Sequence, residues 1–126
     1  MKDREHLVVM SDRLPLLRAL GRRNGTSGIY VELNDPAAEP ELIEFSRRSG
    51  IPPVATNDVY FVDPSGFSLH RLLRAIDLNT SLSRIPPEEL AGEDRWLKPE
   101  PDMARRYPHL KQALENTERI AEACSA

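Results

Sequence analysis

The sequence holds only one cysteine, Cys124, among its 126 residues. A single thiol can form neither an internal disulfide nor a cysteine-based zinc cluster, so a reducing, cytoplasmic location is expected. Long apolar runs are also lacking near the start, where residues 7–10 are too few for a membrane span or a signal-peptide core. We therefore predict a soluble protein with no membrane partner.

A large excess of positive or negative charge is also lacking. The formal net charge is -3 and the isoelectric point is about 5.6. Because positive charge is not in excess over the chain, tight binding of nucleic acid through the whole surface is not expected. The sequence also lacks the glycine patterns of a phosphate loop, a nucleophile elbow and a dinucleotide site. What is left is one modest domain, 40% hydrophobic, that is large enough to bury a core.

Short apolar runs alternate with helical patterns in the first half of the chain. Strands are predicted at residues 7–10, 29–33 and 51–55, where apolar, β-branched and aromatic residues dominate. Between them lie two predicted helices, one that ends near Gly21 and one at residues 40–50. Strand, helix, strand, helix, strand with short connections predicts an α/β fold with three adjacent parallel strands.

The second half of the chain has a different pattern. A helix is predicted at residues 65–77, and the stretch 78–108 then holds five of the eleven prolines. We interpret this stretch as an irregular, proline-rich linker that Trp96 and Leu97 anchor. An amphipathic helix follows from about residue 109, and its periodicity places Cys124 on the apolar face, which predicts a buried thiol.

Polar side chains are concentrated at the carboxyl end of the third predicted strand. Thr56, Asn57 and Asp58 follow the apolar residues 51–55 directly, and Glu32 ends the neighbouring strand, where it could face Asp58. Active sites of parallel α/β folds lie at such strand ends. A structural interpretation is favoured for each of these side chains, because short polar residues also satisfy backbone groups where a strand ends.

Several blocks of the sequence resemble one family, in order and at compatible spacing. They are GIYVEL at residues 28–33, GIPPVATNDV at 50–59, the stretches 69–76 and 96–103, and the last helix at 116–124. Together they resemble the PHP (polymerase and histidinol phosphatase) domain at the amino terminus of the bacterial DNA polymerase III alpha subunit.

The resemblance implies that the chain is a fragment of a longer polymerase. A PHP domain is a (β/α)₇ barrel, so the three predicted strands would form a partial barrel arc. Residues 1–77 are then the carboxyl-terminal portion of the PHP-type domain, residues 78–108 an extended linker, and residues 109–126 the terminal amphipathic helix. The implied partners are the remainder of the alpha subunit, the proofreading exonuclease subunit and other replisome components, and DNA through the parent protein.

The metal chemistry of the family is degenerate in this sequence. The resemblance implies that active members bind zinc, manganese or magnesium through many His, Asp and Glu ligands, which include His-x-His and Asp-x-His motifs. Here Asp58 occupies the Asp position of the second motif, but Tyr60 stands where the histidine is expected, and His-x-His is absent. No catalytic residue and no cofactor are therefore predicted, and Asp58 is interpreted as a relic of the ligand set. His70, in the following helix, is expected to pack or cap.

Two hypotheses follow for the function. The first is a structural and subunit-interaction region, itself inactive, of a DNA-directed DNA polymerase that acts in replication. The alternative is a metal-dependent phosphoesterase or 3′–5′ exonuclease whose other ligands lie outside these 126 residues.

Overall fold

The computed structural model describes residues 6–35 and 37–125. Residues 1–5, 36 and 126, which the predicted domain division includes, lie outside the described residues. The described chain forms two compact units: the first contains the residues up to Thr56 and again those from Met103 onward, and the second is Asn57–Asp102. The division into a PHP portion, a linker and a terminal helix stays a prediction.

The elements follow one another as the α/β pattern predicts. In chain order they are β1 (Val9–Ser11), α1 (Leu14–Asn24), β2 (Ile29–Leu33), α2 (Glu39–Ser49), β3 (Pro53–Ala55), α3 (Gly66–Asp77), α4 (Glu100–Arg106) and α5 (Lys111–Cys124). Two short 3₁₀ helices, Leu82–Arg84 and Pro87–Glu89, lie between α3 and α4. In the part of the chain that the structure describes, no helix is both long and apolar enough to cross a membrane.

The three strands form one parallel sheet in the order β1-β2-β3, which confirms the predicted class and strand pairing. In the central strand β2, Ile29, Val31 and Leu33 are fully buried, while the residues between them are half-buried. This alternation matches the side-chain period of a strand, which directs successive residues to opposite faces.

The core of the first unit lies between this sheet and helices α1, α2 and α5. Burial of each large aliphatic side chain contributes about 1.5–3 kcal/mol, so the core dominates the stability of the unit. Within the described residues its buried members are Leu17, Ile29, Val31, Leu33, Leu42, Ile51, Ala55, Tyr107 and Ala113.

Three elements differ from their predicted bounds. The strand predicted at residues 7–10 is observed at Val9–Ser11. Helix α1 continues through Gly21 to Asn24, and Gly25 caps it with a φ of 72°, which glycine adopts without strain. Strand β3 begins at Pro53 and not at residue 51; Pro52, just before it, has no N–H to donate and contributes only its carbonyl, which accepts the N–H of Val31 at 2.9 Å.

The second unit is built around α3, whose predicted bounds are confirmed to within one residue. Phe61 forms an isolated parallel bridge with Trp96, and the N–H of Leu97 donates to the carbonyl of Phe61 at 3.0 Å. Gly66, the first residue of the helix, has no Cβ, and a Cβ at this position would lie 2.7 Å from the Cβ of Phe61, so only glycine fits there without a shift. The predicted anchor Leu97 is thus held by its backbone, since its side chain is 60% exposed.

Arg74 attaches the proline-rich stretch to α3. Its Nε donates to the carbonyl of Glu89 at 2.8 Å, and its guanidinium also pairs with the carboxylates of Glu89 and Asp77. Part of the stretch predicted as an irregular linker is therefore held against α3 within the second unit.

Two expectations for the end of the chain were wrong. Helix α4 was not expected among so many prolines, but Pro101 lies in its first turn, where the missing N–H costs nothing. Cys124, predicted to be buried, is exposed. The buried residues of α5 are Ala113 and Asn116. Both lie in the first half of the helix, whereas the hydrophobic pattern predicts a buried face that extends to Cys124.

Candidate functional site

The ends of β2 and β3 are joined by a side-chain hydrogen bond. Thr56 follows β3 directly, and its Oγ1 donates to Oε1 of Glu32, at the end of β2, at 2.7 Å. The two strands are neighbours in the sheet, and the pairing of Glu32 with Val54 brings the two side chains within reach. This contact uses both polar groups to connect adjacent strands.

A buried tyrosine donates a hydrogen bond to the backbone at these strand ends. Tyr107 is 1% exposed, and its hydroxyl lies 2.7 Å from the carbonyl oxygen of Leu33 and 3.0 Å from that of Thr56. Arg106 beside it donates from Nη2 to the carbonyl of Asn34 at 3.2 Å. Neither residue is indicated by a local pattern in the sequence, because both reach the strand ends from more than fifty positions away.

In the second unit, Asn57 holds a distant segment of backbone. The residue is 4% exposed, and its Nδ2 donates to the carbonyl oxygens of Asp94 and Trp96, each at 2.9 Å. Nη1 of Arg95 returns a bond to the carbonyl of Asn57 at 3.2 Å. Both amide hydrogens are used, so Asn57 joins the start of the unit to residues 94–96.

Asp58 and Tyr60, which follow Asn57 in the motif, are both exposed. Asp58 is exposed and has a φ of 46°, in the left-handed region that aspartate and asparagine tolerate. Tyr60 is 59% exposed, and its ring packs edge-on against His70 with 5.6 Å between centroids. Nε2 of His70 in turn accepts the N–H of Ala91 at 2.9 Å, so this histidine has the packing role that the sequence indicates.

The described residues do not fit the metal cluster of an active PHP domain. Among residues 6–35 and 37–125, no group of three or more His, Cys, Asp or Glu side chains lies close enough to bind a metal ion. Zinc, manganese and magnesium sites need several such ligands, and beside Asp58 the motif offers only the phenol of Tyr60. Glu32 belongs to the first unit and Asp58 to the second, so the proposed facing of these carboxylates stays a prediction.

One carboxylate of the second unit has a shifted pKa. The hydroxyl of Ser65 donates to Asp63, and this bond, together with the backbone N–H groups of Ser65 and Gly66, lowers the pKa of Asp63 below its usual range. The turn holds the chain at the entry to α3.

Ser65→Ala is expected to raise the pKa of Asp63 toward its usual range, because the strongest of these bonds is lost. Since the folded pKa is depressed, the turn is stabilised above the unfolded pKa and loses this contribution as the pH falls through the folded pKa. NMR titration of the Asp63 carboxyl measures the change. Ser68→Ala, at an exposed serine of α3, is the matched control, and an equal pKa of Asp63 in both variants would contradict the prediction.

Fold and site together define a class of protein. This is a parallel α/β region whose polar strand-end residues bind its own backbone and side chains. Comparison with known proteins then identifies the family. The chain is 33% identical over 102 residues to DNA polymerase III subunit alpha of Caulobacter vibrioides, a match that covers 76% of this chain and 9% of the relative.

Other relatives agree. An error-prone DNA polymerase of Allorhizobium ampelinum is 34% identical over 91 residues, covering 72% of this chain and 8% of the relative. DNA polymerase III subunit alpha of Treponema pallidum is 28% identical over 137 aligned positions, a match that covers 92% of this chain and 12% of the relative. No protein-family model matches the chain.

The chain therefore corresponds to one region of the DNA polymerase III alpha subunits and the error-prone DNA polymerases, which confirms the resemblance to the alpha subunit. Its assignment to the PHP domain stays a prediction. The chain spans about a tenth of the length of the curated relatives it matches.

Proposed function

We propose that the chain is a non-catalytic PHP-type region of a replicative DNA polymerase alpha subunit, with a structural and subunit-interaction role. The observation that carries this proposal is the use of the strand-end polar groups. Thr56 bonds Glu32 within the first unit, and Asn57 bonds two backbone carbonyls within the second. Groups that are engaged in this way stabilise the fold and are not directed at a metal ion or a substrate.

The proposal extends to the partners of the chain. In the cytoplasm, the region supports the polymerase core of its own subunit and offers a surface to the proofreading exonuclease subunit and other replisome components. Contact with DNA, and nucleotidyl transfer, belong to the parent protein and not to this region. The absence of a large net charge on the chain favours protein partners over nucleic acid for the region itself.

A chimera tests the structural role. In the alpha subunit of Caulobacter vibrioides, the stretch that matches this chain is replaced by the chain, and a second variant lacks the stretch altogether. We expect the chimera to extend a DNA primer with activity similar to that of the unmodified subunit, and the deletion variant to be inactive or insoluble. A chimera that is folded but as inactive as the deletion would overturn the proposal.

Asp58→Asn tests the alternative of a metal-dependent phosphoesterase or exonuclease. Because the left-handed φ of residue 58 suits asparagine as well as aspartate, stability should change by less than about 0.5 kcal/mol. Titration calorimetry with Zn²⁺ or Mn²⁺ and a nuclease assay are run on the chimera and on this variant, with Asp12→Asn as the control for lost charge. Stoichiometric metal binding and nuclease activity that Asp58→Asn alone abolishes would establish the alternative.

A further inference from the structure

Helix α3 presents an aliphatic face to solvent. Leu69, Leu72, Leu73 and Ile76 are 58%, 46%, 55% and 67% exposed. Their spacing of i, i+3, i+4 and i+7 places all four on one side of the helix. We call these four residues the α3 face. A stripe of this kind is the surface that one helix usually buries against another, and contiguous exposed apolar surface marks interaction sites.

The second unit does not need this face for its own packing. The opposite side of α3 makes the internal contacts: Phe67 and His70 pack against Phe61, and Ala75 is buried. Arg74, on that same side, forms ion pairs with Glu89 and Asp77. The α3 face is therefore additional to the core of the unit.

A recess continues the α3 face. It has a volume of about 380 Å³, and its lining includes Leu69 and Leu73 together with Tyr60 and Val62. The last two side chains are themselves 59% and 75% exposed. The four residues of the α3 face span about two turns of the helix, and the recess lies at the end of the face that Leu69 and Leu73 form.

The chemistry of the α3 face selects an apolar protein segment over nucleic acid. Nucleic-acid binding depends on cations that are free to contact phosphates. The four residues of the α3 face carry no charge. The two arginines of α3 are engaged within the unit, Arg74 with its carboxylates and Arg71 with the carbonyl of Leu82 at 3.4 Å. An aliphatic helix stripe is complementary to such a surface.

We propose that the α3 face is covered by an aliphatic helix of the polymerase alpha-subunit chain that lies outside these 126 residues. The inference rests on the proposed function. The length of the relatives argues for this occupant: about nine tenths of a C. vibrioides alpha subunit lies outside the match. A segment of the same polypeptide has a high effective concentration at the α3 face, which favours it over a second copy or a separate protein.

Thiol labelling tests the proposal without relying on activity. In a Cys124→Ser background, Ile76→Cys is placed on the α3 face and Ser83→Cys, at an exposed serine of a 3₁₀ helix, serves as the control. Labelling rates are measured in the 126-residue chain and in the chimera described above. We expect the thiol at position 76 to react about tenfold more slowly in the chimera than in the free chain, and the control thiol to react equally fast in both. Leu72→Cys provides a second position should the first variant fail to fold.

Each result decides one of the two proposals. Equal labelling at position 76 in an active chimera would overturn the interface and leave the proposed function standing. Protection in an inactive chimera would support the interface and overturn the function. Protection of the free chain that rises with its concentration would identify a second copy as the occupant, and protection that requires added DNA would identify nucleic acid; either result would overturn the proposal.

Discussion

Tyr107→Ala is expected to lower the free energy of unfolding of the first unit by about 3–5 kcal/mol, the range for deleting a large buried aromatic side chain. The ring is buried in the core with Leu33 and Ala55, and the hydroxyl bonds the carbonyls at the ends of β2 and β3. The substitution thus opens a cavity and removes the donor to two backbone oxygens. Because domains of this size are stable by only about 5–15 kcal/mol, the unit should be close to unfolding at 25 °C.

Tyr107→Phe separates the two contributions. It keeps the ring and removes only the hydroxyl donor, so we expect a loss of about 1–3 kcal/mol. The carbonyl of Leu33 still accepts the N–H of Thr56 at 3.0 Å, so the larger part of this loss should come from the carbonyl of Thr56. Urea unfolding followed by far-ultraviolet circular dichroism measures both variants. A Tyr107→Phe variant as stable as the original chain would show that the hydroxyl bonds add nothing to the stability of the strand ends.

Asn57→Asp is expected to release residues 94–96 from the start of the second unit. The change keeps the shape of the side chain but replaces the donor Nδ2 by an oxygen that faces the carbonyls of Asp94 and Trp96. Within the described residues, the Oδ1 of Asn57 has no hydrogen-bond partner, so the new carboxylate would be buried with neither oxygen facing a donor, although the guanidinium of Arg95 bonds the carbonyl of the same residue. We expect a loss of about 1–3 kcal/mol, the range for a buried polar group that is left unsatisfied.

Fluorescence reports this change directly, because Trp96 is the single tryptophan of the chain. Its emission should shift to longer wavelength in Asn57→Asp, and its urea transition should move to lower concentration. Asn79→Asp is the matched control: this asparagine is exposed at the end of α3, and the effect there should stay below about 1 kcal/mol. An emission spectrum and transition at position 57 equal to those of the control would refute the role of Asn57.

Local patterns were sufficient to predict the sheet. The residues of β2 alternate between apolar and polar, and glycines and prolines mark the ends of the neighbouring elements, so three parallel strands could be placed from spacing alone. The errors came where local rules compete. The proline density of residues 78–108 concealed α4, since Pro101 is compatible with a first helical turn although proline interrupts a helix elsewhere.

The polar motif at residues 56–58 was recognised from the sequence, but its partners were not. Thr56 and Glu32 are brought together by the register of β2 and β3, which the strand prediction already implied. The contacts of Asn57 and Tyr107 join residues 37 to 74 positions apart, and no local pattern indicates such pairs.

The sequence by itself determined the α/β class, the three strands and the family, because these depend on the order of residue types along the chain. Only the tertiary structure decided what the polar residues do. Hydrogen bonding depends on which carbonyl oxygens the fold brings within about 3 Å of each donor. It also decided which apolar residues remain exposed: the leucines of α3 have the same helical spacing as a core stripe, but the second unit packs on the opposite side of that helix.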